Sequence, residues 1–141
     1  MSKISVVYWS GTGNTEMMAN AIADGARQAG ADVKVYPVGG VNPEFINSDI
    51  IVLGCPSMGA EVLEESEMEP FMSSLEGNIS GKKVALFGSY DWGTGQWMRD
   101  WEERVKAAGA NLVAEGLTIN LMPDAYGMTK CEEYGKTLAA S

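Results

Sequence analysis

The sequence predicts an α/β protein in which helices cover both faces of a five-stranded parallel sheet. Strand-like apolar runs alternate with helix-like patterns along the chain, as in folds whose parallel strands are joined by right-handed crossovers. Residues 49–54 and 83–88 form largely apolar runs without alternation, which is typical of strands buried on both faces. Five such strands favour a three-layer, doubly wound sheet with strand order 2-1-3-4-5.

Each element is placed by its local pattern. Strands are predicted at residues 4–8, 32–36, 49–54, 83–88 and 111–119, the last weakened by Gly116. Apolar residues three and four apart predict helices at 14–30, 66–76, 96–108 and 125–140, whereas residues 43–47 suffice for only about one turn. Gly30 is expected to end the first helix. Trp97 and Trp101 follow the helical spacing, so we expect both in the core.

Length and composition indicate one globular domain over residues 1–141. The chain is 45% hydrophobic and 21% charged, and no apolar run approaches the roughly 20 residues that cross a bilayer. Lacking the pattern of a signal peptide, the protein is expected in the cytoplasm without a membrane partner. The absence of histidine argues against most hydrolases. Cys55 and Cys131 are isolated, so we expect two buried thiols and no metal site.

The charge balance limits the class of partner. There are 19 acidic and 10 basic residues, for a net charge of −9. Nucleic acid is not expected to bind, because phosphate backbones demand a basic face. An acidic surface can simply aid solubility, or it can steer the protein toward positively charged partner proteins. Charge alone does not decide between these two explanations.

The first predicted strand runs into a helix through the sequence Ser10-Gly11-Thr12-Gly13-Asn14-Thr15. Glycines let successive N–H groups point at one anion, the helix N-terminus adds a favourable dipole, and hydroxyl groups supply further donors. One such residue would be explained as a helix cap, but six in succession indicate a phosphate site. A P-loop would need a lysine, and a dinucleotide fingerprint would need glycine in place of Glu16. A compact monophosphate held by neutral donors is therefore favoured.

Two further loops reach the same edge of the predicted sheet. In the second, CPSMGAEVLEE at 55–65, Gly59 indicates a tight turn close to a ligand. Its acidic run is expected to be a solvated surface: Glu61, Glu64, Glu65, Glu67 and Glu69. The third loop is SYDWGTG at 89–95, where we expect Tyr90 and Trp92 to be exposed. An aromatic side chain beside glycines is suited to stacking against a planar ring.

Three segments, YWSGTGNTE, LGCPSMGAEVLEESEMEPF and LFGSYDWGTGQWMRDWEER, resemble the short-chain flavodoxins of the clostridial type. The similarity runs nearly end to end and is weaker at residues 31–47 and beyond 111. The extra loop that interrupts the fifth strand of long-chain members is absent. The resemblance implies a flavodoxin-like fold and non-covalently bound FMN. It also implies a low-potential carrier of single electrons, rather than an enzyme with catalytic residues.

The resemblance also implies the cofactor contacts. Ser10, Thr12, Asn14 and Thr15 would hold the FMN phosphate. Met58 and Trp92 would flank the isoalloxazine ring, Glu61 would accept a hydrogen bond from flavin N3–H, and the amides of residues 91–93 would approach the pyrimidine edge. The peptide joining Gly59 to Ala60 would rotate on reduction. The expected contact set is Ser10, Gly11, Thr12, Gly13, Asn14, Thr15, Pro56, Ser57, Met58, Gly59, Ala60, Glu61, Ser89, Tyr90, Asp91, Trp92, Gly93 and Asn120.

Three positions qualify this assignment. Asp91 replaces a glycine usual in the third loop, which would place a negative charge near the flavin. Pro56 stands where some members have a serine, so that hydroxyl contact with the phosphate is not carried over. If the turn in the reduced state demands a positive φ at Ala60, alanine there costs about 1 kcal/mol relative to glycine.

By the same resemblance, the chain is expected to be a monomer that docks on redox proteins with basic patches. These would be flavodoxin or ferredoxin reductases, 2-oxoacid oxidoreductases, and hydrogenase or nitrogenase systems. The alternative is a small FMN-dependent oxidoreductase, such as a quinone reductase, or a flavoprotein that activates a metalloenzyme. Direct oxidation of NAD(P)H by the purified protein would distinguish these alternatives from a carrier.

Overall fold

A computed structural model describes residues 2–141, which form one parallel sheet with helices on both faces. The strands are β1 (Lys3–Tyr8), β2 (Asp32–Pro37), β3 (Ile50–Gly54), β4 (Lys83–Tyr90), β5 (Asn111–Leu112) and β6 (Leu117–Asn120). The helices are α1 (Asn14–Gln28), α2 (Met68–Leu75), α3 (Gln96–Ala107) and α4 (Ala125–Ala139). Two 3-10 turns occupy Val38–Gly40 and Pro43–Asn47. The strand order is β2-β1-β3-β4-β5, with β6 also paired to β4, so the predicted fold class is confirmed.

The central strands divide the core into two layers. In β3, Ile51 and Leu53 pack with residues of α2 and α3, whereas Ile50 and Val52 pack with residues of α1 and α4. All of β3 is buried. The alternation of side chains along a strand therefore sends apolar residues to both faces, because both faces are covered by helices.

The fifth strand is not the single segment that residues 111–119 predict. Residues 113–116 separate β5 from β6, although both pair with β4. At the break, the Tyr134 hydroxyl donates to the carbonyls of Leu86 and Glu115, and the Gly116 N–H donates to the Glu102 carboxylate at 2.8 Å. A side chain at Gly116 would begin only 2.4 Å from the Met98 sulfur. Contacts from α3 and α4 thus stabilise a short loop where the sequence pattern predicts a strand.

The helices agree with the predictions to within a few residues. Gly30 has φ +94° beyond the end of α1, and Trp97 and Trp101 are buried, as expected. Helices α1 and α4 approach closely at two glycines. A Cβ added at Gly25 would lie 1.9 Å from the Glu132 carbonyl oxygen, and one at Gly135 would lie 2.0 Å from that of Ile22.

Both cysteines are free and buried. Burial raises the pKa of each thiol to about 12, so both stay protonated at neutral pH. Across residues 2–141, no helix combines the length and apolarity that crossing a bilayer requires.

Candidate functional site

Three loops meet at the carboxyl edge of the sheet, where doubly wound folds place their ligands. They follow β1, β3 and β4 and enclose a cleft of about 130 Å³. The cleft is lined by Trp9, Gly11, Thr12, Asn14, Pro56, Ser57, Met58, Ser89, Tyr90 and Asp91. All of these except Trp9 belong to the contact set expected from the sequence. Trp9 is not in the expected contact set. It lies directly after β1 within the YWSGTGNTE segment, and this position beside the first loop is the sequence feature that could have predicted its place in the cleft.

A larger cavity, of about 270 Å³, lies elsewhere, beside β1 and β2. Its walls include Lys3, Asp32, Lys34 and Glu44, which are all exposed. None of the three glycine-bearing loops contributes to it. The smaller cleft therefore remains the candidate site, because the convergent donors and aromatic side chains are there.

The first loop presents backbone donors that the protein leaves free. The Ser10 hydroxyl oxygen accepts hydrogen bonds from the N–H groups of Gly13 and Glu16, at 3.1 and 3.3 Å. Gly13, at φ +97°, turns the chain into α1. Within residues 2–141, four other N–H groups of this segment have no acceptor, namely those of Gly11, Thr12, Asn14 and Thr15. Unpaired donors at a helix N-terminus form a binding site for an anion.

Two hydroxyl groups connect the first and third loops. Thr15 and Ser89 are buried, and their side-chain oxygens lie 2.8 Å apart. A hydroxyl group can donate one hydrogen bond while accepting another, so this pair retains one further hydrogen to donate. The contact of Thr15 with a phosphate stays a prediction.

The second loop is a short hairpin. Met58 and Val62 exchange backbone hydrogen bonds of 2.9 Å in both directions. Positive φ values occur at Gly59 (48°) and Glu61 (56°), not at Ala60. In this conformation of the turn the left-handed non-glycine residue is Glu61, and a positive φ at Ala60 in the reduced state stays a prediction.

Glu61 is fixed by the third loop. Its Oε1 accepts hydrogen bonds from the N–H groups of Thr94, Gly95 and Gln96, at 3.1–3.2 Å. Among the described residues, Oε2 has no hydrogen-bond partner. Gly93 makes this arrangement possible, since a Cβ there would lie 2.5 Å from the Glu61 carboxylate. One carboxylate oxygen of Glu61 thus caps the N-terminus of α3, while the other stays available to a donor group of a ligand.

The third loop places its two aromatic residues differently. Trp92 is 62% exposed, as expected. Tyr90 is the last residue of β4 and is half-buried against Trp97, with ring centroids 5.7 Å apart, so the expectation of an exposed loop residue was wrong. Because β4 is two residues longer than its apolar run predicts, Tyr90 reaches the core beneath the loop. Even so, it lines the cleft.

Asn120 supports the third loop from β6. Its side-chain amide donates to the carbonyls of Tyr90 and Asp91, at 3.0 and 3.3 Å. Asn120 does not line the cleft, and its contact with a cofactor stays a prediction.

In the part of the chain described here, the N–H groups of Asp91, Trp92 and Gly93 have no acceptor.

The acidic run beside the site is only partly a solvated surface. Glu65 and Glu67 are exposed, but Glu64 is 6% exposed. It accepts hydrogen bonds from Ser66 and from the N–H groups of Glu67 and Met68 at the start of α2. Burial acts to raise the Glu64 pKa, but these hydrogen bonds outweigh it and lower the pKa to about 2.

Another member of that run joins two helices. The Glu69 carboxylate accepts two hydrogen bonds from Arg104, at 2.6 and 2.8 Å. This paired interaction lowers the pKa of Glu69. The sequence pattern missed both roles, because helix capping and contacts between α2 and α3 depend on the tertiary fold.

The residues that line the cleft, together with those at its rim, fit FMN. A dianionic phosphate matches the unpaired N–H groups of the first loop, and a planar ring matches the exposed Trp92 with Met58 nearby. The pyrimidine edge of a flavin offers both acceptors and an N–H donor, which match the free amides of residues 91–93 and the free Oε2 of Glu61. Among residues 2–141, no lysine or arginine lines the cleft, and a phosphate site built from neutral donors stays a prediction.

Comparisons with known proteins agree with this geometry. A sequence model of the Flavodoxin family matches residues 6–135. The chain is 53% identical to a flavodoxin of Clostridium beijerinckii over 96% of this chain and 99% of the relative. It is 46% identical to a flavodoxin of Megasphaera elsdenii over 96% and 98%.

The similarity extends to solved structures. The solution structure of two-electron reduced Megasphaera elsdenii flavodoxin superimposes with a TM-score of 0.88, covering 98% of this chain and 99% of that one. Oxidised Flavodoxin 1 from Bacillus cereus also gives 0.88, at 28% identity. The chain therefore belongs to the flavodoxin family, as a short-chain member of the clostridial type, and the family consists of electron carriers that bind FMN non-covalently.

Proposed function

We propose that this chain, as one domain over residues 1–141, carries single electrons at low potential between redox proteins, through FMN bound in the carboxyl-edge cleft. The observation that carries this proposal is the set of unpaired N–H groups in the first loop. Beside them lie the exposed Trp92 and the Glu61 carboxylate, of which one oxygen has no hydrogen-bond partner among the described residues. Bound FMN supplies the redox chemistry, taking up and releasing one electron at a time. The protein supplies binding, orientation and charge.

The first loop would hold the phosphate. Free N–H groups of Gly11, Thr12, Asn14 and Thr15 can donate to its oxygens, and the Thr12 hydroxyl is exposed and can add another donor. The Ser10 oxygen already accepts two N–H groups, so its own O–H is what remains to donate toward the phosphate. Ser57 and Pro56 line the same cleft. Such charge-assisted hydrogen bonds to an anion are short and strong.

The second and third loops would hold the ring. Met58 and Trp92 can cover its two faces, and the free amides of residues 91–93 can donate to its carbonyl oxygens. The Oε2 of Glu61 can accept from N3–H while Oε1 stays bonded to three amides. Gly59 and Ala60 are exposed at the turn, where a peptide can reorient without disturbing the core.

Negative charges near the ring would set the potential. Asp91 lines the cleft and Glu61 lies at its rim. Carboxylates oppose the addition of further negative charge to the cofactor, and this supports a strongly reducing carrier. The net charge of −9 supports partners with basic docking patches, such as the reductases and 2-oxoacid oxidoreductases expected from the family. A monomeric state and a location in the cytoplasm are part of the same proposal.

A coupled assay tests this function. The FMN-loaded protein is mixed with NADPH alone, and then with NADPH, a flavodoxin reductase and ferricytochrome c. We expect no NADPH oxidation by the protein alone, and haem reduction that requires both the reductase and this chain. Rapid oxidation of NADPH without a reductase would instead support the alternative, a small FMN-dependent oxidoreductase.

A further inference from the structure

A second cavity, of about 240 Å³, lies beside the first loop on the side of β2. Its walls include Ser10 and Glu16, the 3-10 turn at Val38–Gly40 that follows β2, and Glu67. The Trp9 side chain lines both this cavity and the cleft, so the two spaces are neighbours. We call this space the β2-side cavity. Of the contacts expected for FMN, only Ser10 belongs to its walls.

The β2-side cavity lies where a larger nucleotide would extend. Doubly wound folds that bind dinucleotides hold the diphosphate at the start of the first helix, and an acidic residue about 20 residues further on holds the second ribose. In this chain that distance from the first loop leads to β2 (Asp32–Pro37). If the first loop holds the flavin phosphate, the adenosine half of FAD would therefore enter this cavity.

Space alone does not keep such a ligand out. The β2-side cavity is larger than the cleft, at about 240 against 130 Å³. The selection between a mononucleotide and a dinucleotide must then come from the chemistry of the walls.

Glu16 places a carboxylate on the wall next to the first loop. Its backbone N–H donates to the Ser10 hydroxyl oxygen at 3.3 Å, and its Oε2 accepts from the Tyr8 hydroxyl at 3.0 Å. Partial burial and this carboxylate raise the pKa of Tyr8, so the tyrosine stays a donor to Glu16. The negative charge is thereby held beside the loop expected to bind phosphate.

Glu67 places a second carboxylate in the same cavity. A Cβ added at Gly39 would lie 2.6 Å from the Glu67 Oε2, so this carboxylate rests against the turn after β2. Among residues 2–141, neither Glu16 nor Glu67 forms an ion pair with a lysine or arginine. In the described part of the chain, the walls of the cavity also contain no lysine or arginine.

The two neighbouring spaces therefore treat phosphate in opposite ways. In the first loop a phosphate meets free N–H groups, whereas a second phosphate in the β2-side cavity would meet two carboxylates without cations. Like charges at close range disfavour binding, and rejection of the wrong ligand is a recognised source of specificity.

We propose that Glu16 and Glu67 are specificity-determining residues, which restrict the site to a flavin mononucleotide by repelling the second phosphate of a dinucleotide such as FAD. The same argument gives a role to Glu16, which stands where a dinucleotide fingerprint would have glycine. The inference rests on the proposed function, because the flavin phosphate must lie in the first loop.

The test compares the affinities of the apoprotein for FMN and FAD, measured by quenching of tryptophan fluorescence. The wild type is titrated beside E16Q/E67Q. Glutamine preserves the shape of each side chain, and its carbonyl oxygen can still accept from Tyr8. We expect the double variant to bind FAD about tenfold more tightly than the wild type, and FMN within about twofold of it. Because both carboxylates are exposed, the gain for FAD should shrink at high salt.

The matched control is E44Q/E65Q, which removes the same charge from two exposed carboxylates outside the β2-side cavity. It should leave the ratio of the FAD and FMN affinities unchanged. The single variants Glu16→Gln and Glu67→Gln should each show part of the gain for FAD. An unchanged FAD affinity in E16Q/E67Q would overturn the inference. Equal gains for FMN and FAD, or an equal gain in the control, would also overturn it, because the effect would then be one of net charge.

The FMN titration separates this inference from the proposed function. If the wild type binds no FMN, the proposed function fails. If the wild type binds FMN and E16Q/E67Q gains no affinity for FAD, only the specificity role of the two carboxylates is refuted.

Discussion

Gly93 and Gly95 provide a matched pair for testing how the third loop positions Glu61. Both have a positive φ, +97° and +85°, so alanine at either position costs about 1–2 kcal/mol in backbone strain. Their surroundings differ. A methyl group at 93 would lie 2.5 Å from the Glu61 carboxylate, whereas one at 95 would meet its nearest neighbour, Arg99, at an ordinary 3.6 Å.

The Gly93→Ala change must therefore displace the Glu61 carboxylate. That carboxylate accepts three N–H groups from the start of α3, and at about 1 kcal/mol each their loss adds roughly 2–3 kcal/mol to the strain. The Oε2 atom would move as well. Because a hydrogen bond to a charged group contributes about 1.5–3 kcal/mol, FMN should bind roughly 10- to 100-fold more weakly to Gly93→Ala.

Two measurements check this reasoning. Urea unfolding of the apoprotein should show a moderate loss in Gly95→Ala and a larger one in Gly93→Ala. Quenching of FMN fluorescence should show near wild-type affinity for Gly95→Ala and the large loss for Gly93→Ala. An equal loss of affinity in both variants would mean that the position of Glu61 does not determine cofactor binding.

Three further predictions concern charge and strain. Asp91→Asn should raise the potential for adding the second electron by roughly a few tens of millivolts, and an unchanged value in a redox titration would contradict this. Because the Glu64 pKa is lowered from 4.5 to about 2, its stabilisation of about 3 kcal/mol is present above pH 4.5 and lost as the pH falls toward 2. In urea unfolding, Glu64→Gln should have a lower free energy of unfolding than the wild type at neutral pH. Its free energy of unfolding should also vary less with pH between 4.5 and 2. An equal pH dependence in Glu64→Gln and in the wild type would refute this role. Because Leu121 has a φ of +61°, Leu121→Asn should raise the free energy of unfolding by about 1 kcal/mol, or Tm by about 3 °C, and a lower Tm by calorimetry would show that this φ is not strained.

Much of the fold follows from local pattern. The apolar runs of β3 and β4 require cover on both faces, and helical spacing places Trp97 and Trp101 in the core. The first loop is also readable from sequence, because six small polar residues between a strand and a helix are best explained by an anion. These features depend on neighbours in sequence, which is why a single chain suffices to predict them.

Other features depend on contacts between distant segments. The break between β5 and β6 is stabilised by Tyr134 and Glu102, from α4 and α3. Glu61 and Glu64 belong to one acidic run, yet each caps a different helix, and their separate roles depend on which amides the fold brings near. The strain at Leu121 likewise has no sequence signature, since leucine is not expected at a positive φ.

In the proposed function, neutral donors of the first loop hold the cofactor by its phosphate. The most direct test compares FMN with riboflavin, which lacks the phosphate, in fluorescence-quenching titrations of the same apoprotein. We expect FMN to bind tightly and riboflavin to bind at least about a hundredfold more weakly, since several charge-assisted hydrogen bonds are lost. Equal affinities for the two compounds, or no binding of FMN, would contradict it.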